Sequence, residues 1–189
     1  AADAYISRQY VISNEEHCIR KGSVWSAGKG TGSHDEFCQM KLVCLWDCDP
    51  AKAFELHASF DQDENGFENA AYGLDRRQFD DYIEKKRKES LGIELPQGYV
   101  PATEYILVND DGEYVGIFNL RHELNKYLAK HAGHIGYGIA KNCRGRGYAK
   151  ELILEAYRLL QLPLVLEPAT KQLFDYYHRM GFQGAFSLA

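Results

Sequence analysis

The chain has 189 residues, 45% hydrophobic and 26% charged, with a net charge of −5 and a pI near 5.8. That length and apolar content suit one compact domain with an appendage and exclude a collagen-like or wholly disordered chain. No run approaches the roughly 18 apolar residues of a membrane span, and the opening residues lack a basic stretch followed by an apolar one, so neither a membrane location nor export is expected.

The acidic balance argues against nucleic acid as the main partner, because nonspecific binding to phosphate polymers is driven by Lys and Arg displacing counterions. The five cysteines, Cys18, Cys38, Cys44, Cys48 and Cys143, form an odd set with no CxxC pair and are expected as reduced thiols in the cytoplasm. The start at Ala1 reads as a processed or tag-derived terminus, and its first few residues are set aside.

In chain order, Tyr10, Val11 and Ile12 form a short apolar piece, followed by a Gly/Ser-rich run over 22–33 with no period of 2 or 3.6. Residues 1–39 are therefore assigned to a partly flexible N-terminal appendage and 40–189 to the main domain. Residues 40–46 are a mostly apolar run of strand length. Asp49-Pro50 then supplies a cap and an N1 proline for a helix through about Phe60. Asp75 and Gln78 have capping-box spacing, and Phe79, Tyr82 and Ile83 fall at i, i+3 and i+4, so a second helix should run to about Ser90 with the charge run 84–89 on a solvated face.

After a loop over 91–101, segments 103–108 and 114–120 flank the turn Asn109-Asp-Asp-Gly112 and read as a hairpin. A third strand over 134–140 leads into Arg144-Gly-Arg-Gly-Tyr-Ala149. Beyond it Tyr148, Leu152, Ala156 and Leu159 make one apolar helical stripe reaching about Leu160. Residues 163–167 read as a short strand. Leu173, Tyr177 and Met180 share a face of a last helix ended by Gly181, with room for a final strand near 182–186. The expected order is β-α-α-β-β-β-α-β-α-(β), an α/β chain in the broad, α+β sense, without internal repeats.

Three segments imitate ligand motifs. Gly22 to Lys29 has neither the spacing of a phosphate-binding P-loop nor the Ser or Thr after the lysine. Asp61-Gln-Asp-Glu-Asn-Gly66 matches the first half of a calcium loop, but the twelfth position is Tyr72 where a bidentate Glu is needed, so an acidic turn is the better description. Cys44, Trp46 and Cys48 would share one strand face and suit core packing better than a metal. No metal is expected.

The segment from Ile139 to Lys150 carries the chemistry. Backbone N–H groups of a glycine-rich turn that opens a helix converge on one point, where the helix dipole adds partial positive charge, so a pyrophosphate fits there. Arg144 and Arg146 add charge beside it, and Ala149 keeps the first helical turn slim.

Arg144-Gly-Arg-Gly-Tyr-Ala149 fits the pattern Arg/Gln-x-x-Gly-x-Gly/Ala and resembles the acyl-CoA-binding loop of the GNAT superfamily of N-acetyltransferases. Ile139 stands where that family ends its fourth strand, and Leu173-Phe-Asp-Tyr-Tyr-His-Arg-Met-Gly-Phe182 is similar to its late helix, commonly ending Tyr-x-x-x-Gly-Phe. Arg121-His-Glu-Leu-Asn125 followed by Gly133-His-Ile-Gly-Tyr137 resembles a bacterial branch of uncharacterised members. Lys141 departs from the proline of many members, and Thr170 from the asparagine that often precedes the late helix.

The resemblance implies a GNAT-like fold over about 40–189: a twisted, mixed, mostly antiparallel sheet flanked by helices. It implies acetyl-CoA as co-substrate, held by Ile139, Ala140, Arg144, Gly145, Arg146, Gly147, Tyr148 and Ala149, with the pantetheine arm along the edge of 137–140. It further implies transfer to a primary amine by direct attack on the thioester, with Tyr177 as the acid that protonates the departing thiolate and Tyr176 as its alternate. An amine must lose its proton to attack. His134 is the first candidate base, since its ordinary pKa suits the task, with Glu123 and His122 as alternates.

The acceptor is expected to be a small amine, with a protein amine as the other possibility, selected by the loop from Phe60 to Asp75 and by 91–101. Phe67, Tyr72 and Tyr99 are candidate linings, and Asp61, Asp63 and Glu64 form an acidic loop that is either solvated or attracts a cationic amine. A catalytically silent CoA-binding sensor or interaction module is the competing reading, a toxin acting on charged tRNA is disfavoured by the acidic balance, and a homodimer is compatible with the apolar strand edges.

Overall fold

The computed structural model describes residues 40–160 and 171–179. Strand β1 (Met40–Cys44) opens the domain. It stops two residues earlier than the apolar run suggests, because the chain turns through a 3-10 segment at Leu45–Asp47 that drives Leu45 fully into the core. Cys48 Sγ donates back to the Cys44 carbonyl at 3.3 Å. The shared strand face expected for Cys44, Trp46 and Cys48 therefore does not form.

Helix α1 (Pro50–Ala58) starts where Asp49 Oδ1 accepts from the N–H groups of Ala51 and Lys52 at 2.8 and 3.0 Å, satisfying two donors that have no partner within the helix. Its last turn ends at Ala58, and Phe60 folds under the domain, 2% exposed. The acidic turn that follows is a small hairpin of β2 (Asp63–Glu64) and β3 (Phe67–Glu68). Asn65 and Gly66 at its tip have φ of 55° and 86°, the consecutive positive values of a tight two-residue hairpin turn.

Helix α2 (Arg76–Ser90) carries the expected capping box: Gln78 N–H donates to Asp75 Oδ1 at 2.8 Å, and Asp75 N–H donates to Gln78 Oε1 at 2.9 Å. Its buried positions are Phe79, Tyr82, Ile83, Lys86 and Ser90. Lys86 thus departs from the solvated face expected for the charge run, because it falls two turns beyond Phe79 on the inward stripe.

Strands β4 (Ala102–Asn109), β5 (Tyr114–Arg121) and β6 (Ile135–Ile139) complete the described sheet, in the order β1-β4-β5-β6, with every neighbouring pair antiparallel. Between β5 and β6 lies a short helix absent from the expected order, α3 (Lys126–His131), capped by Asn125 Oδ1 accepting from Leu128 N–H at 2.9 Å. Helices α4 (Tyr148–Leu160) and α5 (Lys171–Arg179) follow. The strands expected at 163–167 and near 182–186, the stop at Gly181 and the appendage 1–39 lie outside the described residues.

Alternation and register sort the sheet into two faces. Pairing of Tyr105 with Phe118 and of Phe118 with Tyr137 puts these on one face, where the Tyr105 and Phe118 rings stack at 5.9 Å. The opposite face carries Ile106 with Ile117, and Glu104 with Asn119 and Gly136. The second face meets α1 and α2, because Glu104 is buried against His57, Tyr82 and Lys86. Tyr82 Oη donates to Glu104 Oε2 at 2.7 Å, Lys86 Nζ lies 3.7 Å from the same oxygen, and His57 Nε2 lies 3.2 Å from Oε1, off the axis of a good hydrogen bond.

Burial alone would raise the Glu104 pKa, but His57, then Lys86 and Tyr82, bring it from 4.5 to about 2. A carboxyl depressed on folding adds stability above its ordinary pKa and loses it as the pH falls through the folded value. Glu104→Gln should therefore cost about 3 kcal/mol at pH 7 by urea denaturation. The gap from the parent chain should close as the pH falls from 4.5 toward 2; a gap that stays constant over that window would show that the charge on Glu104 contributes nothing.

Candidate active site

The glycine-rich turn between β6 and α4 has the geometry of an anion cradle. Gly145 and Gly147 have φ of 77° and 87°, and a Cβ built on either meets nothing within 4 Å, so the turn presents bare backbone to open space. Helix α4 begins at Tyr148, and its first N–H groups face outward with the positive end of the helix dipole.

A cavity of about 570 Å³ runs from this turn along β6. It is lined at one end by Arg144, Gly145, Gly147, Ala149 and Lys150, and along its length by Ile135, Gly136, Tyr137, Gly138 and Ile139. Tyr176 and Tyr177 of α5 close one side, and Glu64 to Phe67 of the β2-β3 hairpin close the other.

Tyr177 is 6% exposed, and its hydroxyl lies 2.8 Å from that of Tyr137. Burial pushes both phenols above their ordinary pKa, Tyr177 despite the Tyr137 hydrogen bond. Both therefore hold their protons at neutral pH. Tyr176 packs edge-on against Tyr177 with ring centroids 5.6 Å apart.

Of the residues anticipated from the sequence, Ile139, Arg144, Gly145, Gly147, Tyr148, Ala149 and Tyr177 line this cavity. Ala140 is buried beside it, with its N–H donated to the Val115 carbonyl at 2.9 Å, and Arg146 is exposed outside it. His134 is 7% exposed and immediately precedes the lining residue Ile135. Glu123 is exposed and is not brought to the cavity. The alternate His122 is buried against Thr103, Nε2 to Oγ1 at 2.8 Å.

Arg144 is not the free cation that its sequence position suggests. Its Nε donates to the Ile139 carbonyl at 2.9 Å, and its Nη2 pairs with Glu64. Lys141 Nζ joins the same carboxylate at 3.2 Å and Asp61 at 2.7 Å. Burial would raise the Glu64 pKa, but the Asp61 N–H and the Arg144 and Lys141 pairs outweigh it and bring the value from 4.5 to about 2. The acidic loop thus folds onto cations of its own chain. Among the described residues no group of three or more His, Cys, Asp or Glu is arranged to hold a metal ion.

The sequence placed the 60–75 loop with Phe67, the edge of 137–140 and the segment to Lys150 at the site, but gave no side-chain role to Tyr137 or Lys150 and no pairing of Glu64 with Arg144. Tyr137 was visible as one of the alternating side chains of β6, and Lys150 as a first-turn cation of α4. No local signal places Glu64 beside Arg144, 80 residues away in sequence.

The described residues form an antiparallel sheet flanked by helices, with a glycine-rich turn between β6, the last strand of the described order, and α4. The acetyltransferase (GNAT) family model matches residues 68–182. The chain belongs to that family, and its fold and general chemistry are those of an acyltransferase. No curated protein and no solved structure matches it. No helix among the described residues is long and apolar enough to cross a membrane.

Glu64→Gln should leave the sheet intact and free the hairpin. Amide hydrogen exchange over 61–68 is expected to rise several-fold with rates in β4 and β5 unchanged; unchanged rates in the hairpin would mean that its charge pairs hold nothing.

Proposed function

We propose that the chain is an N-acetyltransferase that takes its acetyl group from acetyl-CoA and passes it to a primary amine by direct attack on the thioester. The observation that carries this reading is the continuity of the cavity from the anion-cradling turn to the paired hydroxyls of Tyr137 and Tyr177.

In this reading the N–H groups of Gly145, Gly147 and the first turn of α4 bind the pyrophosphate, with Lys150 at the cavity wall as the nearby cation. Arg144 acts as a brace, since its guanidinium is engaged by Ile139 and Glu64. The edge of β6 positions the pantetheine arm. The amine nitrogen forms a bond to the thioester carbon, the C–S bond breaks, and Tyr177, protonated because it is buried, gives its proton to the departing sulfur. Tyr137 holds the Tyr177 hydroxyl in place.

His134 is the base of this reading. The Arg121 N–H donates to the His134 carbonyl at 2.8 Å, so the antiparallel ladder continues to that residue. Alternation then puts its side chain on the face of Gly136. Most of the rate comes from holding amine and thioester together, because the cavity turns an encounter in solution into a fixed geometry.

Calorimetric titration with acetyl-CoA tests the ligand. Saturable binding near micromolar, about −8 kcal/mol, is expected, and Gly147→Val should weaken it at least ~10-fold by straining a positive-φ position where the ligand needs bare backbone. Tyr177→Phe should keep that affinity and lower kcat by about 100-fold, read as thiol release. Binding without thiol release from any amine would favour a silent CoA-binding module, and no binding at all would remove the reading.

A further inference from the structure

In the proposed transfer an amine arrives as an ammonium ion, and His134 takes one proton to make it a nucleophile. After attack the nitrogen carries a further proton that it must lose, while the sulfur leaves readily only if it gains one. If Tyr177 alone supplied the sulfur, it would be left as a phenolate in a place where burial already opposes that charge. A path for protons from the nitrogen to Tyr177 settles both needs at once.

The hydroxyl of Tyr137 is placed on that path. Tyr137 and Tyr177 both line the cavity, with their oxygens 2.8 Å apart, although they lie on different elements and 40 residues apart in sequence. Tyr137 stands opposite Phe118 in the ladder, on the face where Phe118 stacks on Tyr105, and Tyr176 packs edge-on against Tyr177. Both rings are therefore fixed by packing as well as by the hydrogen bond. Tyr137 is half-buried and Tyr177 buried, so the strand tyrosine is the more open of the two to the cavity.

A phenol hydroxyl has one proton to give and lone pairs with which to receive. With Tyr137 donating to Tyr177, the Tyr177 proton is not spent within the pair, and the Tyr137 oxygen keeps a lone pair for an incoming N–H. The nitrogen and the sulfur of the tetrahedral intermediate sit on one carbon, two bonds apart, a span close to that of two hydrogen-bonded oxygens. The two hydroxyls thus match in spacing the two atoms they have to serve.

We propose that Tyr137 is a second catalytic residue, which takes the proton of the attacking nitrogen while passing its own to Tyr177, as Tyr177 passes its proton to the sulfur. The N–C bond has formed and the C–S bond breaks. The nitrogen loses one proton, the sulfur gains one, and both hydroxyls end as they began. Because the protons move together, no phenolate accumulates in the cavity wall. This inference rests on the acetyl-transfer reading and adds to the holding of Tyr177 a proton-moving role for Tyr137.

The test uses the full chain, acetyl-CoA and a panel of primary amines: the common L-amino acids, simple alkylamines and aralkylamines, diamines and a lysine-containing peptide. The amine acetylated fastest serves for the variants. Tyr137→Phe should lower the single-turnover rate of thiol release about 100-fold, as far as Tyr177→Phe does. Acetyl-CoA affinity by calorimetry should stay unchanged in both. The double variant should be no slower than either single one to within about 3-fold, because groups that act as one unit do not add. In mixtures of light and heavy water the parent rate should fall along a curve, the sign of several protons in flight, and the Tyr137→Phe rate along a straight line. A residue that merely positioned Tyr177 would leave the curve in place. A loss at Tyr137→Phe below about 5-fold, losses that multiply in the double variant, or a straight line in the parent would each overturn the relay and leave the transfer reading standing. Thiol release with none of the amines would overturn the transfer reading and the relay with it. Should either variant fail to bind acetyl-CoA, the heavy-water dependence of the parent chain decides alone.

Discussion

The close approach of Phe60 and Phe67 to the backbone of Gly138 is the contact on which the site depends. With a side chain at position 138 the two rings could not reach β6, since the nearest ring atom already stands 2.6 Å from where a Cβ would be. The rings meet each other edge-on with centroids 5.5 Å apart, which ties the end of α1 and the β2-β3 hairpin to the same strand. That tie brings Glu64 over the glycine-rich turn, where it pairs with Arg144 and Lys141. One missing Cβ thus sets a cavity wall.

Charge is distributed in two ways across this frame. Glu104, buried with His57, Lys86 and Tyr82, joins α1 and α2 to the sheet through charge and through the Tyr82 hydrogen bond to Oε2. A buried carboxylate of that kind is held by several partners because its desolvation is too costly for one. Glu64 pairs with Arg144 and Lys141 at the end of the cavity, so in the proposed reading the anion falls to backbone N–H groups and to Lys150. Backbone donors suit this task, since they are fixed in direction and need no reorganisation to meet a phosphate.

Much of the fold was legible locally. The Asp49 cap, the Asp75 and Gln78 capping box, the hairpin around Asn109 to Gly112 and the stripe of Tyr148, Leu152 and Ala156 each announce an element from within a few residues. The family resemblance was equally local, because a glycine turn opening a helix is a contiguous device. Other signals were present and passed over. Asn65-Gly66 is a tight-turn pair that predicts the small hairpin, Asn125 is a helix cap for α3, and Lys86 sits on the inward stripe of α2 at the spacing of Phe79 and Ile83. Periodicity outweighs charge type there, because a long lysine stem can be buried when carboxylates meet its head, as Glu89 and Glu104 meet Lys86.

The sequence by itself determined the main strands and helices other than the β2-β3 hairpin and α3, the glycine-rich turn before α4 and the membership of an acetyltransferase family, because these follow from periodicity, caps and contiguous motifs. Tertiary structure decided which of the charged and aromatic residues meet. It engaged Arg144 with a carboxylate 80 residues away, set Tyr137 against Tyr177, and aligned Glu104, Asn119 and Gly136 in one row across three strands. Strand register and the packing of Phe60 and Phe67 over β6 are set by nonlocal fit of side-chain volume, and a chain read a few residues at a time contains no measure of that fit.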